Sequence, residues 1–583
     1  MSFNQQHFHW ADYLVLLAML VFSAGIGIYF RFTGGKQKTT EEYLLGDRNQ
    51  KVLPVAISLM ASFLSAIAIL GTSAEMYMFG TQYLIVNLSY IVCTPIACYL
   101  FIPVFFKLQA TSAYEYLERR FGRTTRTAAS FMYSFQVMVY TGVILYTPAM
   151  TLQVLTGLSV ELAILLVGLV CVFYSTIGGI KAVIVTDVFQ ALLMFAAVFC
   201  VIVSGIKAKG SVGNIWRIAE ERGRIEFFNF TPDLTVRHTF WSLMCGGGLT
   251  FLSQFAVNQT QVQRYMTMKD VDSAKRALWI STPIVVVFYA ITGFAGLSIF
   301  AAYSDCDPIT SGRIKIRDEL VPLFVVESLG EYPGLAGLFI AGIFSAALSS
   351  VSATTNSLAA VTVEDYIKPL YMWLHEKPFP EGRTTILSKM LAMTYGIICV
   401  LLGFLARFVD GILQAAISII GVVGGPLLGT FTLGMFIPAA NEPGVLAGMV
   451  AGVLCSLWVS LQEHPPPHHL PLSTAGCPAN TSLPLTSHAL LSDDNSDHTF
   501  WNNLSYMWFI VTGFLVTTVL GSLVSCITSC CHTPNRTLDP DLFSAPVAAL
   551  LRSRLPPHHD RRVKHQEISH PLEEKLPTEL SCE

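Results

Sequence analysis

Long apolar runs separated by short polar segments make up most of this 583-residue chain. A helix that crosses a bilayer needs about 20 consecutive, mostly apolar residues. By that measure the pattern predicts about thirteen membrane-spanning helices. They cover residues 11–30, 52–79, 83–106, 127–155, 160–177, 183–206, 239–257, 278–302, 335–358, 387–408, 412–437, 445–461 and 506–527. The chain is therefore expected to be an all-α, polytopic membrane protein.

Composition supports this class and excludes others. Hydrophobic residues make up 53% of the chain and charged residues 13%, whereas soluble proteins carry about 25% charged residues. The net charge of −3 offers no basic surface for nucleic acid, so membrane lipid is the expected environment. Most of the 13 cysteines lie in apolar runs, where we expect small buried side chains. No Ser-His-Asp, HExxH or Walker pattern is present, and we expect no enzyme activity.

The charge of the loops predicts the orientation in the membrane. Basic loops stay on the cytoplasmic side, and an odd number of spans puts the two termini on opposite sides. These rules place the N-terminus outside and the C-terminus inside, in a multi-pass protein of the plasma membrane. Three sequons, at Asn229, Asn480 and Asn503, then fall in outer loops. These asparagines are the expected glycosylation sites.

Two sets of five spans form the expected centre of the chain, residues 52–206 and 239–438. Each set begins with a span that can break, and matching broken helices are typical of inverted-repeat transporters. The remaining segments are expected to be accessory. They are an extra span and inner loop at 1–51, an extracellular loop at 207–238, C-terminal spans at 439–528 with a glycosylated extracellular loop at 462–505, and a disordered cytoplasmic tail at 529–583.

The span at 335–358 carries an unusual stripe of small and hydroxyl side chains. Ala346, Ser349 and Ser350 follow i, i+3, i+4 spacing and share one face of the helix. Such hydroxyls can bond back to their own helix, and small residues can simply let helices pack closely. A dense stripe also offers oxygen ligands, which hard cations prefer. The stripe therefore predicts either close packing or a Na⁺ site.

The first span of each set supplies the other half of this hypothesis. In "MASFLSA", an unwound helix would leave the carbonyl oxygens of Ala61 and Leu64 free to bind a cation. In the second set, three consecutive glycines at residues 246–248 weaken the helix and permit a break. Two acidic residues also lie near membrane depth. Asp187 either stabilises a helix N-terminus or lines a cation path to the cytosol, and Glu75 is expected at the outer interface.

Several motifs resemble the sodium/solute symporter family over nearly the whole chain up to about residue 527. They are "TSAYEYLERRFG", "GGIKAVIVTDVFQ", "RHTFW", "VNQTQVQRY", "AAVTVEDYIKP" and "LQAAISIIGVVGGPLLG". The resemblance implies a LeuT-like core of two inverted five-helix repeats, with Na⁺ as the coupling ion. It places a sodium site at Ala61, Leu64, Ala346, Ser349 and Ser350, and a sodium exit path at Asp187 and Gln190. It places the substrate among Phe63, Ala68, Asn87, Tyr90, Phe251 and Gln259.

Within the family, the chain is most similar to the vitamin carriers, and next to the monocarboxylate carriers. The resemblance thus implies Na⁺-driven uptake of a small organic anion: biotin, pantothenate or lipoate. The alternative substrates are lactate, pyruvate and short-chain fatty acids. A sodium channel or a substrate sensor remains as a further alternative, although a channel needs a continuous polar pore. The sequence ends in Ser-Cys-Glu, so no scaffold-binding C-terminal motif is expected.

Overall fold

The computed structural model describes residues 8–33, 40–408, 411–462, 468–477, 500–531 and 538–554. This part of the chain is helical and contains no β-strand. Its helices are α1 (Trp10–Phe32), α2 (Thr40–Leu45), α3 (Val52–Phe63), α4 (Ala66–Phe79), α5 (Val86–Ile96), α6 (Ile102–Leu108), α7 (Glu115–Arg120), α8 (Arg123–Thr156), α9 (Val160–Lys209), α10 (Val212–Glu221), α11 (Phe240–Leu252), α12 (Gln259–Tyr265), α13 (Val271–Ala302), α14 (Leu320–Leu329), α15 (Leu335–Val361), α16 (Lys368–His375), α17 (Glu381–Ala406), α18 (Ile412–Phe436), α19 (Glu442–Ser460), α20 (Trp508–Cys531) and α21 (Ala545–Arg554). Short 3₁₀ turns lie at Gly46–Arg48, Thr81–Ile85, Arg317–Glu319, Phe500–Asn503 and Pro540–Leu542, and π turns lie at Ala97–Phe101, Ser253–Val257 and Thr362–Ile367.

The predicted membrane-spanning character is confirmed. Eleven helical segments in the described residues are long and apolar enough to cross a bilayer, and the bent pair α3 and α4 adds a twelfth. The remaining predicted span, 160–177, corresponds to the shorter apolar helix Val160–Val170 at the start of α9. The helical backbone of α9 is broken at Gly179, where φ is 63°. Glycine suits this position because φ is positive and because a Cβ would press on the Tyr43 ring. The orientation of the two termini stays a prediction.

The first span of the first five-span set is broken where "MASFLSA" predicts it. Helix α3 ends at Phe63, α4 begins at Ala66, and the two helices are bent by 60°. Leu64 and Ser65 between them have extended backbone conformations. The chain therefore presents the carbonyl end of one short helix and the amide end of another at the same place.

The second broken span differs from the expectation. Helix α11 runs unbroken through the three glycines at 246–248, and the break comes ten residues later, at Asn258. The glycines instead allow close packing: a Cβ on Gly247 would collide with Val86 of α5, and one on Gly246 with the backbone of Met507. The Asn258 side chain accepts a hydrogen bond from the Thr260 amide and thereby starts α12.

Helix α15 carries the hydroxyl stripe and lies in the centre of the protein, where nearly all of its residues are buried. Several hydroxyls bond back to their own helix, as the packing alternative predicts. Thr355 Oγ1, for example, donates to the Val351 carbonyl at 2.9 Å. Ser349 is different, because its hydroxyl bonds to another helix.

Two features outside the spans correct the sequence-based expectations. Cys306 and Cys477 form a disulfide, so these two cysteines are not simply small buried side chains. Both cysteines lie in polar loops, and the pattern of apolar runs does not show that these two loops are in contact. The tail, expected to be disordered over 529–583, contains a docked segment at 538–554. There Phe543 is fully buried and the Tyr116 hydroxyl donates to the Leu542 carbonyl at 3.0 Å. Residues 555–583 lie outside the described part.

Candidate functional site

The buried centre of the molecule is organised around Asp187, which is 0% exposed. Its carboxylate accepts hydrogen bonds from Ser58 Oγ of α3 at 2.5 Å and Ser349 Oγ of α15 at 2.6 Å. Arg264 of α12 completes the group, with Nη2 3.1 Å from Oδ2 of Asp187. Asp187 does not cap a helix N-terminus, because it lies eight residues beyond the break at Gly179. It joins four helices instead.

The residues expected to bind sodium surround the end of α3. Ser350 Oγ lies 3.5 Å from the Ser62 carbonyl and 3.1 Å from the Ala346 carbonyl. Ala61 lies one residue before Ser62 and Leu64 two residues after it, and both are fully buried. The carbonyl end of a helix carries partial negative charge and favours a cation. The structure thus brings the predicted α3 and α15 residues to one place, and their role as ligands stays a prediction.

Gln190 lies one turn beyond Asp187 and is also 0% exposed. Neither its amide oxygen nor its amide nitrogen has a hydrogen-bond partner among the described residues. A buried amide without partners is unfavourable in a closed protein core. Its position next to Asp187 agrees with the proposed exit path, which needs polar groups that can take up a passing ion.

A narrow central cavity of about 50 Å³ lies beside the first broken helix. Among the predicted substrate residues, Phe63, Ala68 and Tyr90 line it. The other lining residues are mostly apolar or hydroxyl-bearing: Ser65, Ile67, Tyr83, Val86, Tyr140, Gly247, Thr250, Tyr289, Leu413, Ala416, Ile417, Ile420 and Met507. This mixture of aromatic and hydroxyl groups suits a small organic molecule, and the cavity has to widen to hold one.

The other three predicted substrate residues lie outside the lining of this cavity. Phe251 stacks on Tyr90 with ring centroids 5.2 Å apart, so it supports the wall. Asn87 donates to the Leu84 carbonyl at 3.0 Å. Gln259 is occupied at the other end of the bundle, where it accepts from the Ala113 amide and donates to the Thr111 carbonyl.

Sequence reasoning missed Arg264, whose side chain is 1% exposed. Arg264 could have been inferred from the sequence, because a cation at membrane depth needs a carboxylate partner and Asp187 is a candidate for that partner. Glu75 was expected at the outer interface, but it is 2% exposed and lies in an ion pair with Arg237 Nε at 2.6 Å. Polar residues this far apart in sequence show no spacing from which the pairing could be predicted.

A second, larger cavity lies at the end of the bundle that carries Asn229. We call it the outer cavity, because the predicted orientation places this end outside. Its lining includes Phe79, Gln82, Gly223, Glu226, Asn229, Thr235, Val236, Arg237, His238, Gln414, His468, Leu470, Asn502, Asn503, Leu504, Ser505 and Tyr506. Burial lowers the pKa of His238 to about 3, so this side chain is neutral at physiological pH. Two of the expected glycosylation sites, Asn229 and Asn503, face this cavity, and Asn480 lies outside the described residues.

The fold, with two broken helices around a buried ionic centre, is that of a secondary transporter. A solved structure of a Na⁺-coupled sialic acid symporter, in a substrate-bound outward-open state, has the same fold. Its TM-score is 0.72 at 24% identity, and the match covers 89% of this chain and 98% of that one. The predicted LeuT-like fold is confirmed.

The model of the sodium:solute symporter family matches residues 43–452. A Drosophila melanogaster protein assigned as a sodium-dependent multivitamin transporter is 46% identical, over 94% of this chain and 93% of the relative. Human sodium-coupled monocarboxylate transporter 1 is 41% identical, over 88% of this chain and 86% of the relative. The chain therefore belongs to the sodium:solute symporter family. It is a sodium-coupled solute symporter, and Na⁺ is its coupling ion.

Proposed function

We propose that this symporter imports small organic anions across the plasma membrane by alternating access, with biotin, pantothenate and lipoate as substrates. One observation carries the proposal. The break between α3 and α4 turns a carbonyl end toward Ser350 on one side and an amide end toward the central cavity on the other. A single interruption of one helix can therefore serve a cation and an anion side by side.

The proposed sodium site has five oxygen ligands. Three are the carbonyl oxygens of Ala61, Leu64 and Ala346, and two are the hydroxyls of Ser349 and Ser350. Oxygen ligands of this kind suit a hard cation, and none of the five carries a fixed charge. Ser349 also donates to Asp187. An ion that leaves the two hydroxyls therefore meets the carboxylate of Asp187 next, and then the unpartnered amide of Gln190.

The proposed substrate site is the central cavity. No charged side chain lines it among the described residues, so a carboxylate must be received by other groups. Ser65, Ile67 and Ala68 line the cavity at the start of α4. The Ala68 amide donates to the Ser65 carbonyl at 2.9 Å, so the first amides of the helix, before Ala68, are the ones that favour an anion. The rings of Phe63 and Tyr90 would contact the apolar part of the substrate.

The 46% identity to the Drosophila relative supports vitamins as substrates. The 41% identity to the human relative supports the alternative, a carrier of lactate, pyruvate or short-chain fatty acids. The channel and sensor alternatives differ from both in their kinetics. Uptake by a carrier saturates and is competed by a second substrate, a channel shows no such competition, and a sensor binds substrate without moving it.

Uptake of labelled biotin by cells expressing the chain tests the proposal. Uptake is measured in Na⁺ and in choline, each with excess pantothenate or excess lactate. Na⁺-dependent uptake that pantothenate blocks and lactate does not block is the expected result. Na⁺-dependent uptake of labelled lactate without uptake of biotin would move the chain to the monocarboxylate alternative.

The sodium site is tested by replacing Ser349 and Ser350 together with Ala. The double variant loses two of five ligands, so the Na⁺ concentration for half-maximal uptake should rise at least tenfold, equivalent to about 1.4 kcal/mol. Thr355→Ala is the matched control, because its buried hydroxyl on the same helix bonds only to its own backbone. An unchanged Na⁺ dependence in a surface-expressed double variant would refute the site.

A further inference from the structure

The outer cavity contains a guanidinium group that is only partly used. Arg237 Nε donates to Glu75 at 2.6 Å, and Nη1 donates to Gln414 Oε1 at 3.0 Å. Nη2 is buried and has no hydrogen-bond partner in the described part of the chain. A guanidinium has five N–H donors, and leaving a charged one buried and unpaired is costly. Arg237 therefore retains capacity for one more acceptor.

The guanidinium is also held rigidly. It lies between two aromatic rings, 4.4 Å from the Phe79 centroid and 4.7 Å from the Tyr506 centroid. Such stacking fixes the plane of the guanidinium, which can then offer parallel N–H groups to a planar carboxylate. Little side-chain entropy remains to be lost when an anion binds.

The local charge favours an anion. Glu75 faces two cationic side chains, Arg237 and Arg317, and the neighbouring His238 is neutral because burial lowers its pKa to about 3. Glu75, Arg237 and Arg317 together therefore carry one excess positive charge, while the buried carboxylate of Asp318, the residue after Arg317, accepts the Ile412 amide at 3.0 Å. Glu226 also lines the outer cavity, but it is exposed to solvent and its effect is screened.

The outer and central cavities are separated by a thin wall. Gln414 lines the outer cavity and its neighbour Leu413 lines the central one. The same holds for Tyr506 and Met507. A group bound at Arg237 is thus one layer of residues away from the central cavity.

We propose that Arg237 forms a second, outer binding site for the carboxylate of the substrate, occupied before the substrate enters the central cavity. The proposal rests on the proposed function, since it requires an anionic substrate. Glu75 acts in it as a built-in competitor, because it occupies one edge of the same guanidinium. The two residues should therefore have opposite effects on anion binding.

The test uses the purified full-length chain in choline buffer without Na⁺. Stabilisation against heat is measured with lactate and with its neutral analogue lactamide, both of which are soluble at high concentration. Lactate would bind there through its carboxylate alone and therefore weakly, so at concentrations well above those of the uptake competition it should raise the melting temperature, and lactamide should not. Arg237→Gln should raise the half-saturating lactate concentration at least tenfold. Glu75→Gln should lower it severalfold, because the competing carboxylate is gone.

Two further variants separate binding from folding. Glu75→Gln/Arg237→Gln removes the ion pair without leaving a buried charge, and it should fold but fail to respond to lactate. Arg222→Gln/Asp305→Asn removes an exposed ion pair elsewhere and should respond like the unaltered chain. Equal stabilisation by lactate and lactamide, no stabilisation by either, or a shift in the same direction for both single variants would overturn the outer site.

Uptake measurements distinguish this proposal from the proposed function. If no carboxylate is taken up with Na⁺, yet the lactate response is present and is lost in Arg237→Gln, the transport proposal fails and the outer site stands. If Na⁺-driven uptake occurs and Arg237→Gln leaves both the lactate response and the KM unchanged, the outer site fails and the transport proposal stands.

Discussion

At the scale of single residues, Asp187 and Arg264 form a buried ion pair at the centre of the protein. Both side chains are almost completely buried, and Nη2 of Arg264 lies 3.1 Å from Oδ2 of Asp187. Ser58 contacts both, since its hydroxyl donates to Asp187 and accepts from Arg264 Nε at 2.8 Å. Removing one member of such a pair leaves a buried charge without its partner, which costs about 3–5 kcal/mol.

This pair allows folding and transport to be separated. We expect Asp187→Asn and Arg264→Gln each to lower the melting temperature clearly, and the double variant to recover most of it. If Asp187 serves the sodium exit path, transport should not recover with folding. The double variant should transport at less than about a tenth of the normal rate, which corresponds to a barrier increase of about 1.4 kcal/mol. Melting in detergent and initial uptake per surface-exposed transporter give the two readouts. Full uptake by the double variant would reduce Asp187 to a structural role.

How far the site could be predicted also depends on the residue. The stripe on α15 and the break between Phe63 and Ala66 follow from local sequence, so both could be predicted. Arg264 could have been inferred from the rule that a buried charge needs a partner. The pairing of Glu75 with Arg237 could not, because residues 162 positions apart meet only through the packing of helices. The Cys306–Cys477 disulfide was missed for the same reason.

At the scale of helices, apolar length and composition predicted the spans, whereas the cause of each break was harder to infer. Glycine permits an unusual backbone, but it equally permits close approach of another helix. The three glycines at 246–248 are compatible with either role, and the helices packed against them determine which role they have. In α11 the glycines serve packing, and Asn258 marks the break.

Gly246 provides a test of this packing role. A Cβ there would meet the carbonyl oxygen of Met507, which is backbone and cannot move aside as a side chain could. We expect Gly246→Ala to destabilise the protein by about 1–3 kcal/mol. Gly382→Ala is the control, because a Cβ at this position in α17 has open space around it. Its melting temperature should be unchanged or slightly higher. Equal melting temperatures for both variants would contradict close packing at Gly246.

At the scale of the whole molecule, the docked segment 538–554 connects the tail to the transport core. Phe543 packs its ring 4.8 Å from the Arg120 guanidinium of α7, and the Ser544 amide donates to the Met435 carbonyl of α18. The loop before α7 is bonded in turn to Gln259 at the start of α12. A continuous set of contacts therefore runs from the tail to the second broken helix. If this end faces the cytosol, as the loop charges predict, alternating access requires it to open for the substrate to be released.

We therefore expect the tail to stabilise the state in which this end is closed. Phe543→Ala weakens the contact with α7 and should shift the population toward the opposite state. If the fraction competent to bind external Na⁺ falls to about one third, the half-saturating Na⁺ concentration rises about threefold. Leu550→Ala is the control, because this side chain lies on α21 of the same segment but is exposed. The half-saturating Na⁺ concentration for uptake is measured for both variants at matched surface expression. Identical values would show that the segment is docked without influencing the transport cycle.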